Sequence, residues 1–247
     1  MEKINIFEKL TGLKPNEEVT KEINQLNIPL LEIESRNLDK LLLHKINSLA
    51  EKVVNNETSF FRDKLVFSEI LKLLPNINKI WSAGCSYGQE AYSLSMLLSK
   101  INYQTNFQIV ATDISSRAVK VATSGKYLIS RKDEIKRIQL FYPELVSSLD
   151  HYQDKTQLIE IDKNLKSRVS FFTHNLLMEF PKKDFDLILC RNVLIYMNKD
   201  ARDKVFRNIE NSLKPGGWLL MGSADPRPSS SYWKMYTFND QIFWKYK

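Results

Sequence analysis

The stretch Ile80-Trp81-Ser82-Ala83-Gly84-Cys85-Ser86-Tyr87-Gly88-Gln89-Glu90 sets how the rest of the chain is read. Residues 80–83 suit a short strand, and Gly84 and Gly88 bracket a tight turn. Beyond the turn, Ala91, Leu94, Leu97 and Leu98 recur at helical spacing. Strand, glycine turn and helix in that order open a crossover unit, so a parallel sheet is expected.

The same rhythm continues downstream. Residues 107–112 read as a second strand stopped by Asp113, and Ser115 caps a helix over 116–123. Residues 169–173 read as a third strand. Residues 185–190, apolar almost throughout, read as a fourth strand covered on both faces. A helix over 199–213, a turn at Lys214-Pro215-Gly216-Gly217 and a fifth strand over 218–222 follow. Residues 233–238 and 241–246 make a terminal hairpin around Asn239-Asp240. The fold class is α/β: a doubly wound, mostly parallel sheet ending in an antiparallel hairpin. One stretch breaks the rhythm, between Gly125 and Val169. There, 131–150 suits a helix and 156–161 alternates like an exposed strand, so a small β subdomain is expected as an insert at about 149–168.

Upstream, residues 1–74 carry no strand pattern. Short helices are expected over 2–10, 17–26 and 65–74. A clearer one covers 37–54, where Leu38, Leu41, Leu42, Ile46, Leu49 and Val53 make an apolar stripe and Lys40, His44, Lys45 and Lys52 a basic face. The expected division is a helical N-terminal domain, 1–74, and a catalytic domain, 75–247, with Pro75 near the boundary.

Composition narrows the function. The 247 residues are 43% hydrophobic and 26% charged, without the run of roughly 18 apolar residues that spans a bilayer. The N-terminus, MEKINIFEKL, has no secretory pattern, so a cytoplasmic protein without membrane insertion is expected. Cys85 and Cys190 lie far from His44, His151 and His174 in sequence, which supports neither a disulfide framework nor a metal site. The net charge of +7 suits either a solvated surface that keeps the protein soluble or attraction to an acidic partner, whether protein, nucleic acid or membrane. The basic residues are scattered, and no nucleic-acid-binding motif accompanies them, so direct nucleic-acid binding is not expected.

In a doubly wound sheet, ligands bind beyond the carboxyl ends of the strands, where the strand order reverses. Three features converge there. The turn from Gly84 to Gly88 lets backbone approach a ligand closely. Asp113, at the end of the second strand, can accept both hydroxyls of a ribose. Glu90, in the first turn of the following helix, can pair with an ammonium. The turn is neither a dinucleotide fingerprint nor a phosphate-binding loop with its lysine. S-adenosylmethionine has no phosphate and suits such a site better than a nucleoside triphosphate or a dinucleotide.

Several longer stretches resemble the bacterial chemotaxis receptor methyltransferases, which esterify receptor glutamates. They are Asn56-Glu57-Thr58-Ser59-Phe60-Phe61-Arg62-Asp63, the glycine motif from Trp81 to Ser93, Ala111-Thr112-Asp113-Ile114-Ser115, Asn175-Leu176-Leu177, and Cys190-Arg191-Asn192-Val193-Leu194-Ile195-Tyr196. Lys214-Pro215-Gly216-Gly217 is shared with many methyltransferases. The resemblance implies S-adenosylmethionine as cofactor, S-adenosylhomocysteine as product, and glutamate methyl esters in a chemoreceptor-like protein. Carried over residue by residue, it places Thr58, Arg62, Glu90, Asp113, Asn175, Leu176 and Asn192 at the cofactor, with segment 56–63 closing the pocket. It places Arg62, Arg191 and Tyr196 at the reacting centre. Gln89, Ala91 and Tyr87 depart from the glycine motif, and Gly222-Ser223-Ala224-Asp225 stands where the family has Gly-His-Ser-Glu. Residues 153–156 lack the glycine of the loop with which some members grip a C-terminal peptide tether, so independence from such a tether is expected. Two other readings stay open: methylation of another carboxylate or amine, and a cofactor-binding regulatory protein without turnover.

Overall fold

A computed structural model describes residues 2–26, 40–54, 57–63, 77–100, 107–147, 156–238 and 241–247. Its centre is a seven-stranded sheet in the order β5-β2-β1-β6-β7-β9-β8. The strands are β1 (Lys79–Ala83), β2 (Gln108–Asp113), β5 (Val169–Thr173), β6 (Phe185–Cys190), β7 (Leu213–Met221), β8 (Trp233–Phe238) and β9 (Gln241–Tyr246). The first five are parallel to their neighbours, while β7, β9 and β8 pair antiparallel. The chain moves outward from β1 through β2 to β5, then returns to the other side of β1 with β6 and β7. The order therefore reverses between β1 and β6, as expected for a doubly wound sheet.

Both faces of the sheet are covered. Every residue of β6 is buried, as its apolar run requires. On one face α1 (Glu2–Thr11), α2 (Glu17–Gln25) and α3 (Lys40–Val53) share a core with Trp81, Ile188 and Leu219. Trp81 is the keystone there, stacked on Phe180 at 4.8 Å with its indole N–H donated to Thr112 Oγ1 at 2.9 Å. The other face carries α4 (Gln89–Lys100), whose residues 91–98 are all buried. It also carries Phe60 and Phe61 of the segment ahead of β1. Helix α5 (Ser116–Ser124) starts on the expected cap, Ser115, which accepts from the Ala118 N–H. The helix expected over 65–74, the boundary at Pro75 and the hairpin turn at 239–240 lie outside the described residues.

The insert begins earlier than its sequence pattern foretold. Strand β3 (Lys126–Ile129) follows the left-handed Gly125 directly and pairs antiparallel with β4 (Gln157–Glu160). Between them lie α6 (Lys132–Phe141) and α7 (Glu144–Ser147), and α8 (Lys163–Ser167) leads into β5. Lys214-Pro215-Gly216-Gly217, read as a turn, lies within β7 instead. Leu213 pairs with Phe185 and Trp218 with Leu187, so the register shifts here. Gly216, at φ +78°, absorbs the extra length as a bulge.

Asp186 fastens the entry of the sheet. Its Oδ2 accepts the N–H groups of Asn78 and Lys79, each at 2.8 Å, and Lys214 pairs with its other oxygen. Burial would raise this carboxyl, but Lys214 and the two N–H groups outweigh it and hold it below its ordinary value. Stability from a depressed carboxyl is present above the unfolded-state pKa and lost as the pH falls through the folded one. Asp186→Ala is therefore expected to lower stability by about 1–3 kcal/mol at pH 7. The gap from the parent should narrow below about pH 4. Urea unfolding across pH 3–7 measures it.

Candidate active site

Helix α9 (Lys199–Ser212) follows β6 after a 3₁₀ turn, Leu194–Tyr196. The cleft opens before it, at the carboxyl ends of β1, β2, β5 and β6, around the point of strand-order reversal. All the residues singled out from sequence, from Thr58 and Arg62 to Arg191 and Tyr196, line it. So do Thr11 and Leu13 at the end of α1.

The turn after β1 forms its floor. Gly84 and Gly88 sit at φ +81° and +86°, where side chains are strained. A Cβ on Gly88 would lie 2.7 Å from Ala122 Cβ, so the turn also packs too closely for any other residue. Tyr127 of β3 donates its hydroxyl to the Tyr87 carbonyl at 2.7 Å, bracing the turn from the insert.

Asp113 is buried, yet borders the cleft. Its Oδ2 accepts from Ser86 N at 2.8 Å and its Oδ1 from Ser115 N at 2.9 Å. A carboxylate has roughly four lone-pair sites, so it can still accept a ligand's hydroxyls. Burial raises its pKa, and the N–H groups pull against that. Glu90 accepts from Ser82 Oγ at 2.8 Å and from Arg191 Nη1 at 3.1 Å. The other arm of Arg191 is paired with Asp63. Arg191 is thus a buried link between the helix carrying Glu90 and the segment carrying Thr58 and Arg62.

That segment, 57–63, is gripped from the insert. Glu134 Oε1 accepts from Phe60 N at 2.7 Å, and Arg137 donates to Phe60 O and Ser59 Oγ, each at 3.0 Å. Phe61 N donates to Ser93 Oγ at 2.9 Å, and its ring stacks on Phe141. Arg62 itself is exposed and donates to the Glu57 carbonyl at 2.9 Å.

Asn175 is held by a partner far away in sequence: its Nδ2 donates to Leu10 O at 2.8 Å, while its Oδ1 accepts from Leu177 N at 3.0 Å. The amide therefore ties α1 to the cleft, beside Leu176. Lys14 N donates to Tyr196 O at 3.4 Å, and Leu13 bridges to Met197. Sequence reading did not place Thr11 and Leu13 here, because nothing local marks them. It also passed over His174, which lines the cleft and packs on Phe180 at 4.9 Å. Its position between the end of β5 and Asn175 was the available signal. Burial lowers its pKa, which favours the neutral ring.

The lining fits S-adenosylmethionine. Among the described residues, the acids Glu57, Glu90 and Asp113 line the cleft, and no lysine does so to hold a phosphate. Two buried nitrogens on lining residues, His174 Nε2 and Arg191 Nε, have no hydrogen-bond partner among the described residues. Among the described residues, no cluster of three or more His, Cys, Asp or Glu side chains forms a metal site, and no helix is long and apolar enough to cross a membrane.

A doubly wound sheet with this cleft at its switch point defines the class: an S-adenosylmethionine-dependent methyltransferase. The family model described as CheR methyltransferase, SAM binding domain, matches residues 56–241. A chemotaxis protein methyltransferase of Listeria monocytogenes serovar 1/2a is 30% identical over 215 residues, covering 84% of this chain and 78% of that protein. Chemotaxis protein methyltransferase 1 of Pseudomonas aeruginosa is 35% identical over 197 residues, covering 72% and 68%. Chemotaxis protein methyltransferase 1 of Vibrio cholerae serotype O1 is 31% identical over 214 residues, covering 80% and 74%. The chain belongs to the CheR methyltransferase family.

Proposed function

We propose that this protein esterifies glutamate side-chain carboxylates of a chemoreceptor-like protein. The observation that carries the reading is one cleft, at the switch point, that gathers Glu90, Asp113, Arg62 and Tyr196 in a chain whose relatives are chemotaxis protein methyltransferases. When bound, S-adenosylmethionine supplies an electrophilic methyl on a sulfonium. Asp113 accepts the ribose hydroxyls, Glu90 meets the ammonium, and Thr58, Asn175, Leu176 and Asn192 shape the remaining wall. Arg62 reaches in from segment 56–63 of the N-terminal domain, 1–74, and orients the reactants above the catalytic domain, 75–247.

The attacking glutamate has a reference pKa near ~4.3 and is ionised at neutral pH. No general base is needed, so the work of the site is alignment and exclusion of water. A cation and an anion become two neutral groups along the path, and a dry cleft favours that change. Arg191, held between Glu90 and Asp63, steadies both walls of the reacting centre. Tyr196 hydrogen-bonds the incoming carboxylate. Tyr196→Phe is expected to slow methyl transfer about tenfold or more while leaving S-adenosylhomocysteine affinity within a few-fold, as for loss of a transition-state contact. Single-turnover kinetics beside calorimetry separates the two.

The reaction runs in the cytoplasm, without a metal ion and without nucleic acid. Receptor helices dock on the basic face of α3. Lys45 is exposed there, whereas Lys52 is paired with Glu22 at 2.6 Å, and the side chains of Lys40 and His44 lie outside the described residues. The protein does not depend on a peptide tether; residues 148–155, beside the matching loop, also lie outside the described residues. Incubation with methyl-labelled S-adenosylmethionine and membranes of the parent organism tests the whole reading. Label on a membrane protein, released as methanol by base, is expected. Base-stable label would replace esterification with N-methylation.

A further inference from the structure

The turn after β7 holds a buried acid that sequence reading gave no role. Asp225 accepts four backbone N–H groups: Asn192 at 2.5 Å and Gly222 at 3.0 Å on Oδ2, Leu194 at 3.0 Å and Ile195 at 3.3 Å on Oδ1. Among the described residues no cation pairs with it, so backbone dipoles alone meet its charge. Three of those four donors belong to the loop that follows β6, which carries Arg191, Asn192 and Tyr196 into the cleft.

Two further features fit a built clasp. Asn192 stands at φ +57°, a left-handed conformation that asparagine adopts more readily than most residues and that turns its N–H toward the Asp225 carboxylate. Gly222 lets the two loops meet: a Cβ there would lie 2.8 Å from Asp225 Oδ2 and 2.9 Å from Asn192 N. The first and last residues of the Gly222-Ser223-Ala224-Asp225 turn therefore cooperate, one by its carboxylate and one by its lack of a side chain.

We propose that Asp225 is a positioning residue for methyl transfer, fixing the loop of residues 191–196 so that Asn192 and Tyr196 meet the reactants in register. Its side chain is not among those that line the cleft. The inference rests on the methyltransferase reading for its kinetic consequence, but the clasp itself can be judged without activity.

The test uses the full chain with Asp225→Asn and Asp225→Glu. The amide keeps one acceptor oxygen and turns an N–H group toward two of the four donors. A displacement of the loop by about an ångström is expected to lower kcat on order 10²-fold. S-adenosylhomocysteine affinity should fall less than about fivefold, since Glu90 and Asp113 sit on other elements. Asp225→Glu, which retains both acceptors, should recover much of the rate. Hydrogen exchange gives the readout independent of turnover: amides of 192–195 should exchange faster in Asp225→Asn while those of β6 keep their protection. Unchanged exchange at 192–195 overturns the proposal. So does a loss of kcat matched by an equal loss of cofactor affinity, which marks a general structural role. If Asp225→Asn does not fold, the comparison of Asp225→Glu with the parent decides, with unaltered kcat and exchange supporting the clasp and a collapsed rate at full loop protection refuting it. A parent protein that fails to methylate receptor membranes counts against the functional reading alone, since the exchange result still judges the clasp.

Discussion

Arg191→Ala is expected to lower folding stability by about 3–5 kcal/mol, the range for breaking a buried pair by removing one partner. Cofactor binding should be lost with it. The Arg191 side chain is 4% exposed and joins Glu90, itself 17% exposed, to Asp63. Without the guanidinium, the Glu90 carboxylate keeps the Ser82 hydroxyl but loses its countercharge in a place that water reaches poorly. The segment bearing Thr58 and Arg62 at the same time loses an anchor, because its Asp63 no longer has Arg191 to pair with. Arg191→Lys should fall between, because one ammonium cannot fork to two carboxylates as a guanidinium does. Asp63→Ala is the control: that side chain is 54% exposed, so its loss should cost about 1 kcal/mol or less. Urea unfolding and calorimetry with S-adenosylhomocysteine measure both effects. Equal losses for Arg191→Ala and Asp63→Ala would show that burial of the Glu90 contact is not what makes Arg191 matter.

The contrast between those two residues also marks what the sequence could and could not convey. The strands β1, β2 and β6 were legible because a buried parallel strand is a short apolar run, and each ends at a residue that stops it. The cleft followed, since a doubly wound sheet places its ligands at those strand ends. The partners of the cleft residues were not legible. Arg191 lies 101 positions from Glu90 and 128 from Asp63, and Asn175 lies 165 from Leu10. No local pattern encodes such pairings; they exist only once the layers have packed. The misread elements have local causes instead. Strand β3 is four residues long and begins directly after a helix cap, leaving too few residues for alternation to register. Pro215-Gly216-Gly217 has turn chemistry, and the same left-handed glycine serves a bulge within β7 as well as it would serve a turn. The departures in the glycine motif leave the pocket's acids in place, because Gln89 and Ala91 flank Glu90 on a helix and so point away from its face.

The floor and the wall of the cleft are coupled most tightly at Gly84, and Gly84→Ala should expose that coupling. The residue stands at φ +81°, and an added Cβ would lie 2.4 Å from Val193 Cγ2. Left-handed strain costs an L-residue about 1–2 kcal/mol. Overpacking adds about 1–3 kcal/mol where the neighbour cannot yield. Val193 has little freedom to yield, because the N–H groups on both sides of it, at Asn192 and Leu194, are held by Asp225. The substitution should therefore destabilise the protein by about 2–5 kcal/mol in sum and push the wall carrying Asn192 and Tyr196 off the floor. Val193→Ala in the same chain removes the obstructing methyls and leaves only the backbone strain. The double variant should then recover about 1–3 kcal/mol relative to the sum of the two single changes, with the rate of methyl transfer returning in parallel. If the double variant is as unstable as additivity predicts, the contact between Gly84 and Val193 is not what sets the spacing of the two loops.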